Sequence, residues 1–397
     1  MQGSKTIAIL LSTPSFEDFY GRGMGLTLEA YLSTYRNDFS WYYCDMFVKY
    51  GWKPIIYMAS NTHSGIYQVE NGIQVRMLPL TPWFSAIQKL PIWRTKLGRY
   101  AHESLNAIGF RKSLHSALTA DKVDILYVQE YWTGRFDRIV SWFKGKTRPL
   151  IIGADHGGQK NHHLLWFKKA AFKQCAMLQS QTSAEAEEVK AFGTTPVVLG
   201  NPVDIEFFQP ANSAAVSPGA LKSVITVARF NNNQKRTTDL IEAFRFLDDT
   251  WRLDIYGKGP DEPLLRETIA KFDLGSKVSL KGFLANRDAL RTIYQASTVF
   301  SLPSFNEGIP MVVLEAMSCA MPVVVTNIRA FESLIDDRVS GIKVPVGDPA
   351  AIASALQEAH ANSAALGAAA RDRVADRHSF AHFMRMFVAG LGEQTTR

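Results

Sequence analysis

Cysteine is scarce in this chain of 397 residues. Cys44, Cys175 and Cys319 are its only three, far apart and odd in number. Neither a disulfide framework nor a zinc site follows from them, and a reducing cytosol is the expected home. Long apolar runs are missing too: none approaches the roughly 18 residues of a membrane span. The first apolar stretch, Ile7–Leu11, is too short for a secretion signal's core. Asp-x-Asp, which in many nucleotide-sugar enzymes holds a divalent metal, occurs nowhere. The Gly-x4-Gly-Lys-Ser/Thr loop of ATPases is absent, and so is the complete dinucleotide fingerprint. No short-period repeat or low-complexity tract stands out.

What is present is a globular composition, 46% hydrophobic and 20% charged, long enough for two ordinary domains. The net charge of +7 is unevenly placed. Residues 1–205 hold 23 Lys and Arg against 16 Asp and Glu; residues 206–397 hold 21 of each. Within Lys89–Lys173 there are 16 basic and 6 acidic residues, interleaved with Trp93, Tyr100, Phe110, Trp142, Phe143, Trp166 and Phe167. Such a stretch fits a solvated surface over an aromatic core, an anionic lipid surface, an acidic saccharide or nucleic acid. No nucleic-acid motif accompanies it, and no nucleic-acid partner is expected.

Short apolar strands alternate with helical patterns twice along the chain. The first series of strands is Thr6–Leu11, Pro54–Ala59, Ile73–Leu78, Ile125–Gln129, Leu150–Gly153 and Pro196–Leu199, with helices such as Leu26–Tyr50 and Ala101–Leu118 between them. The second is Val224–Ala228, Leu253–Tyr256, Val278–Lys281, Val299–Leu302 and Val323–Thr326. Their helices are Asp239–Phe246, Pro263–Phe272, Arg287–Ala296 and Met311–Cys319. This predicts an α/β chain of two Rossmann-like domains, each a parallel sheet between helices. Gln209–Lys222, rich in Pro, Ala and Ser, reads as the linker. The expected domains are 1–205 and 206–377, with the amphipathic terminal helix 378–397 crossing back to the first or capping its own domain. Parallel sheets bind ligands beyond the carboxyl ends of their strands, so the expected site is the cleft between the domains.

Glu307 and Glu315 bracket the segment EGIPMVVLE, just after a strand. They are placed at opposite ends of the first two turns of a helix, where two carboxylates can grip two parts of one ligand. Gly308 leaves backbone N–H groups open, Pro310 suits a first helical turn, and a helix N-terminus favours an anion such as a diphosphate. After the first strand of the second half come Arg229 and Lys235: a diphosphate clamp, or two surface cations. Gly257-Lys258-Gly259 allows close backbone approach, or is a plain turn. In the first half, His156 follows a strand, as a donor to a sugar hydroxyl or phosphate or as a loop histidine. His162 and His163 follow it, but their spacing matches no metal motif. Gly21-Arg22-Gly23-Met24-Gly25 is an anion cradle or a flexible cover.

These segments together resemble glycosyltransferase family 4, retaining enzymes of the GT-B fold, two Rossmann-like domains facing across a cleft. The resemblance runs collinearly from about 196 to 348. It comprises Asn201-Pro202-Val203-Asp204, Ala228-Arg229 with Lys235, Gly257-Lys258-Gly259-Pro260, and Lys281-Gly282-Phe283. It continues through Leu302-Pro303-Ser304, Glu307 to Glu315-Ala316-Met317, Pro322-Val323-Val324, Glu332 and Gly341. The first half resembles the family only in its opening strand, glycine loop and His156. The resemblance implies that Arg229 and Lys235 bind the donor diphosphate and Glu315 the ribose hydroxyls. It implies that Glu307 meets the transferred sugar, the backbone at Gly308 and Ile309 the phosphate or sugar, and the main chain near Phe283 the base. Gly23 and Gly257 join the donor side, and His156 sits near the reacting face. Arg229 and Lys235 are one residue further apart than usual, which implies a bulge. Ala320 replaces the common glycine before Pro322, which reads as a packing difference.

The expected reaction is metal-independent, cofactor-free transfer of a hexose from a nucleoside-diphosphate sugar to an acceptor hydroxyl, with retention. The acceptor is a saccharide or a lipid-linked glycan, and the location is cytoplasmic with peripheral contact at an anionic inner membrane face. A sugar-nucleotide epimerase or phosphorylase of the same fold, and a non-catalytic nucleotide-sugar binder, are the rival readings.

Overall fold

A computed structural model describes residues 4–36, 38–87, 95–156, 165–211 and 221–395. His162 and His163, Lys89, Trp93 and most of the expected linker lie outside the described residues. The chain divides into two compact units, one of residues 1–199 with 384–397, the other of residues 200–383.

The first unit is built on eight strands. They are β1 (Thr6–Leu10), β2 (Lys53–Ser60), β3 (Gly65–Gln68), β4 (Gln74–Pro79), β5 (Ile125–Gln129), β6 (Leu150–Ala154), β7 (Met177–Ser180) and β8 (Val197–Val198). Their order is β3-β4-β2-β1-β5-β6-β7-β8, parallel except for β3 against β4. The central strands are covered on both faces, which is why Ile7-Ala8-Ile9-Leu10 and Pro54–Ala59 read as unbroken apolar runs. β3 escapes such a reading because it is an exposed edge with no face to bury. β7 escapes it because its Gln179 is polar yet buried, bonded to the Tyr43 hydroxyl and the Leu199 carbonyl, both at 2.9 Å. The single helix expected over Leu26–Tyr50 is two, Leu28–Ser33 and Phe39–Lys49. Asp38 breaks them apart by capping the second, accepting from the Ser40 N–H. The terminal helix Phe380–Thr395 sends Phe387 into this unit, its ring 5.6 Å from that of Phe47 and 6.1 Å from that of Trp52. Burying a ring of this size contributes about 2–3 kcal/mol.

The second unit holds six parallel strands. They are β9 (Lys222–Val227), β10 (Trp251–Tyr256), β11 (Val278–Gly282), β12 (Val299–Leu302), β13 (Val323–Thr326) and β14 (Ile342–Val344), in the order β11-β10-β9-β12-β13-β14. The chain leaves β9 toward β10 and β11, then returns to the other side of β9 for β12. The strand order therefore reverses between β9 and β12, the place where open parallel sheets bind ligands. Helix Met311–Ser318 follows β12 and is closed by two bonds. The Ala320 N–H donates to the Met317 carbonyl and the Met321 N–H to the Ala316 carbonyl. This closure needs a left-handed residue, and Ala320 supplies it with φ +54°. The missing glycine is therefore a backbone matter and not a packing difference. A left-handed alanine costs about 1–2 kcal/mol, while glycine loses about 0.5–1 kcal/mol more chain entropy on folding. Ala320→Gly is expected to raise stability by about 0.5–1 kcal/mol, read as a higher urea midpoint; an unchanged or lower midpoint contradicts it.

Candidate functional site

The carboxyl ends of β9 and β12 carry the densest set of candidate residues. After β9 the Asn231 N–H donates to the Arg229 carbonyl at 2.8 Å, a three-residue turn that buries the Phe230 ring. A short helix, Asn232–Lys235, follows and stops at Arg236, whose φ is +51°. After β12, the buried Ser304 offers its carbonyl to the Thr326 hydroxyl, which fixes the loop to β13. The two loops are then stitched together. The Phe305 N–H donates to the Gln234 carbonyl at 2.7 Å, and Gln234 Nε2 donates to the Asn306 carbonyl at 3.1 Å.

That stitching brings Lys235 to Glu307. Lys235 Nζ donates to Glu307 Oε1 at 2.6 Å, and Ser304 Oγ donates to the same oxygen. The side chains are 16% and 6% exposed, so the pair is well shielded from water. Oε2 of Glu307 has no hydrogen-bond partner among the described residues. Nor does the Arg229 guanidinium, which is exposed. The site thus offers one open cation, one cation shared with a carboxylate, and one open carboxylate oxygen. This is a donor and acceptor set suited to a phosphate beside a hydroxyl-bearing ring.

Glu307 stands in the loop and not within the helix, which begins at Met311 with Pro310 as its N-cap at φ −74°, ψ 127°. Pro310 is therefore the cap and not a first-turn residue. Gly308 and Ile309 lead into it, and the Ile309 carbonyl accepts from Asn201 Nδ2 at 2.8 Å. Asn201 is held in turn by His378, whose Nδ1 lies 3.0 Å from the Asn201 carbonyl oxygen. Burial pushes the His378 imidazole down to about 4. Glu315 is midway along the helix and only 2% exposed, with the Tyr294 hydroxyl donating to its Oε2 at 2.8 Å.

At the end of β10, Gly257 has φ +151°, and a Cβ there would lie 1.8 Å from the Ala228 carbonyl oxygen. Glycine is needed so that the chain can cross directly beside the residue before Arg229. The Gly257 N–H donates to Gly282, and the Lys258 ammonium sits 4.8 Å from the Phe283 ring centroid.

The remaining candidates are in the first unit. His156 follows β6 and stacks on Phe39 at 4.1 Å between centroids. Gln181 Nε2 is 3.2 Å from its Nδ1, and the Tyr127 hydroxyl is 3.0 Å from its Nε2. With Gln181 donating, the proton sits on Nε2 and points at Tyr127, whose hydroxyl donates onward to Gln179 Oε1 at 3.0 Å. A substrate group would have to replace one of these partners. Gly23 lies at the end of a wide helical turn, Glu17–Arg22, so the glycine-rich segment is largely helical and only Gly25 has a positive φ, +65°. The turn is anchored by Glu17, which accepts from the Asn61 N–H at 2.9 Å and the Ser60 and Thr62 hydroxyls. Burial alone raises that carboxyl, but these hydrogen bonds outweigh it and hold it at about 2.

Ser304, Gln234, Thr326, Asn201 and Tyr294 carry the site without having been candidates. Ser304 and Asn201 lie inside recognisable motifs, but their task, holding Glu307 and Ile309, is invisible without the fold. Among the described residues no cluster of His, Cys, Asp and Glu could hold a metal ion, and no helix is long and apolar enough to cross a membrane.

Residues 222–362 match the family Glycosyl transferases group 1. The chain is 26% identical over 271 residues to the Escherichia coli UDP-Gal:alpha-D-GlcNAc-diphosphoundecaprenol alpha-1,3-galactosyltransferase, covering 62% of this chain and 68% of that one. It is 26% identical to WcaL of Salmonella typhimurium, a match spanning 54% of this chain and about half, 55%, of that relative's length. Sucrose-phosphate synthase from Thermosynechococcus elongatus superposes with a TM-score of 0.74 at 15% identity, covering 99% of this chain and 100% of that one. That likeness shows the GT-B fold. The family match over residues 222–362, the motifs of the second half and these relatives together support a glycosyltransferase of the family 4 type.

Proposed function

We propose that the protein moves a hexose from a nucleoside-diphosphate sugar to an acceptor hydroxyl, with retention and without a metal. The observation that carries this reading is the Lys235–Glu307 pair at the β9/β12 switch point, with the exposed Arg229 in the same loop after β9. The anomeric C–O bond to phosphate breaks through an oxocarbenium-like state, and Arg229 and Lys235 stabilise the charge left on the departing diphosphate. The acceptor oxygen bonds to the same face of the sugar, and its proton passes to the leaving phosphate oxygen. Glu307 Oε2 holds a sugar hydroxyl, and Glu315 the ribose. The acceptor is a saccharide or lipid-linked glycan, met at the inner face of an anionic membrane. The diphosphoundecaprenol acceptor in the name of the Escherichia coli relative supports the lipid-linked form.

Calorimetry with UDP, GDP and ADP, in the presence of a chelator, tests the donor reading. One of the three is expected to bind tightly, and the donor in that relative's name makes UDP the first choice. Glu315→Gln and Glu315→Ala are expected to weaken it by about ten- to a hundredfold, the loss of one or two hydrogen bonds to a charged group. Binding of none of the three would remove this function.

A further inference from the structure

Among the described residues of the basic stretch most aromatics are buried: Tyr100, Phe110, Phe136 and Phe143 belong to the core of the first unit. Three large apolar side chains of that stretch stand out as an exposed group. Leu97 is 58% exposed, Leu165 54% and Trp166 72%. They belong to helices Lys96–Ala120 and Leu165–Gln174, which flank helix Gly134–Ser141. A buried polar knot sets the register of the three helices. The Tyr100 hydroxyl donates to Asp137 at 2.9 Å, and Lys168 Nζ donates to the other oxygen of Asp137 at 2.9 Å and to the Tyr131 carbonyl at 2.8 Å. Leu97 and Leu165 each lie three residues before their member of the knot, about 4.5 Å along the helix. The crossovers of the parallel sheet run these helices the same way. Their first turns therefore end together, and the exposed side chains share one rim.

Neither flanking helix has an acidic residue in its first turn, where acidic groups would be favoured. Lys96 opens one of these helices and Lys169 follows the first turn of the other, both exposed, and the helix N-termini add positive potential of their own. Exposed Trp and Leu among lysines, over a rigid base, complement a surface that is negative outside and apolar within.

We propose that Leu97, Leu165 and Trp166, with Lys96 and Lys169, form a docking rim for an anionic lipid bilayer, held in register by the Tyr100–Asp137–Lys168 knot. The rim deepens the lipid-linked acceptor reading, yet it is tested without the donor site. The full chain is floated with vesicles of phosphatidylcholine, alone or mixed with phosphatidylglycerol. Flotation is expected with the mixed vesicles and is expected to fall with salt. Leu97→Glu with Trp166→Glu is expected to weaken it by about tenfold or more. Lys96→Glu with Lys169→Glu is expected to abolish the preference for phosphatidylglycerol. A urea transition of the first unit matching wild type shows the same variants folded. Wild type that floats with neither vesicle, or variants that float like wild type, overturn the proposal. So does self-association of wild type, lost in the variants, without vesicle binding. Phosphatidylglycerol-dependent flotation by a protein that binds no nucleotide leaves the rim standing and removes the donor reading.

Discussion

Lys235→Ala is expected to lower kcat by about 10²–10³-fold, the range for removing one preorganised partner of a developing oxyanion. Two effects add. The leaving diphosphate loses a charged donor, and Glu307, which Lys235 neutralises at 2.6 Å, becomes an unbalanced carboxylate beside it. The double variant Lys235→Ala, Glu307→Gln separates them. If repulsion dominates, it recovers activity relative to the single variant. If lost transition-state stabilisation dominates, it stays as low or lower, because Glu307 also holds the sugar. Nucleoside-diphosphate release at saturating donor reads kcat, and its donor dependence reads KM. A loss confined to KM would mean that Lys235 grips donor and transition state alike. Lys235→Ala within about threefold of wild-type kcat would be too small for a leaving-group role.

The Lys235–Glu307 pair also shows where sequence reasoning stops. Both residues are conspicuous by type and spacing, but they are 72 positions apart and meet only because Gln234 is bonded to the loop at Phe305 and Asn306. Backbone stitching of that kind leaves no side-chain signature. The strands of the second sheet were legible for the opposite reason: Val299–Leu302 and Val323–Thr326 are buried on both faces and therefore apolar throughout. β14 is a three-residue strand ending that sheet, too short to carry a pattern. His156 was legible as a histidine after a strand, yet what occupies its nitrogens comes from Tyr127 on β5 and Gln181 beyond β7. Ala320 looked like a lost packing glycine until its φ of +54° showed a helix closure.

Lys168→Met is expected to destabilise the first unit by about 3–5 kcal/mol, the penalty for leaving one member of a buried ion pair unpaired. Lys168 and Asp137 are both fully buried. Burial raises the Asp137 carboxyl and lowers the Lys168 ammonium, and their mutual attraction only partly offsets it. With the ammonium gone, Asp137 keeps the Tyr100 hydroxyl as its hydrogen-bond donor and shifts further toward the protonated form. The folded variant then binds more protons than its unfolded chain, so its stability falls as pH rises through the carboxylate range and is regained on acidification. The deficit should therefore be largest near pH 7 and shrink toward pH 4–5. Lys168→Met with Asp137→Leu removes both charges and is expected to recover most of the loss, since a well-packed apolar pair can match a buried ion pair. Urea unfolding followed on the transition of the first unit measures all three proteins. A single variant within about 1 kcal/mol of wild type at neutral pH would mean that water reaches Asp137, and that the knot is too soft to hold three helices in register.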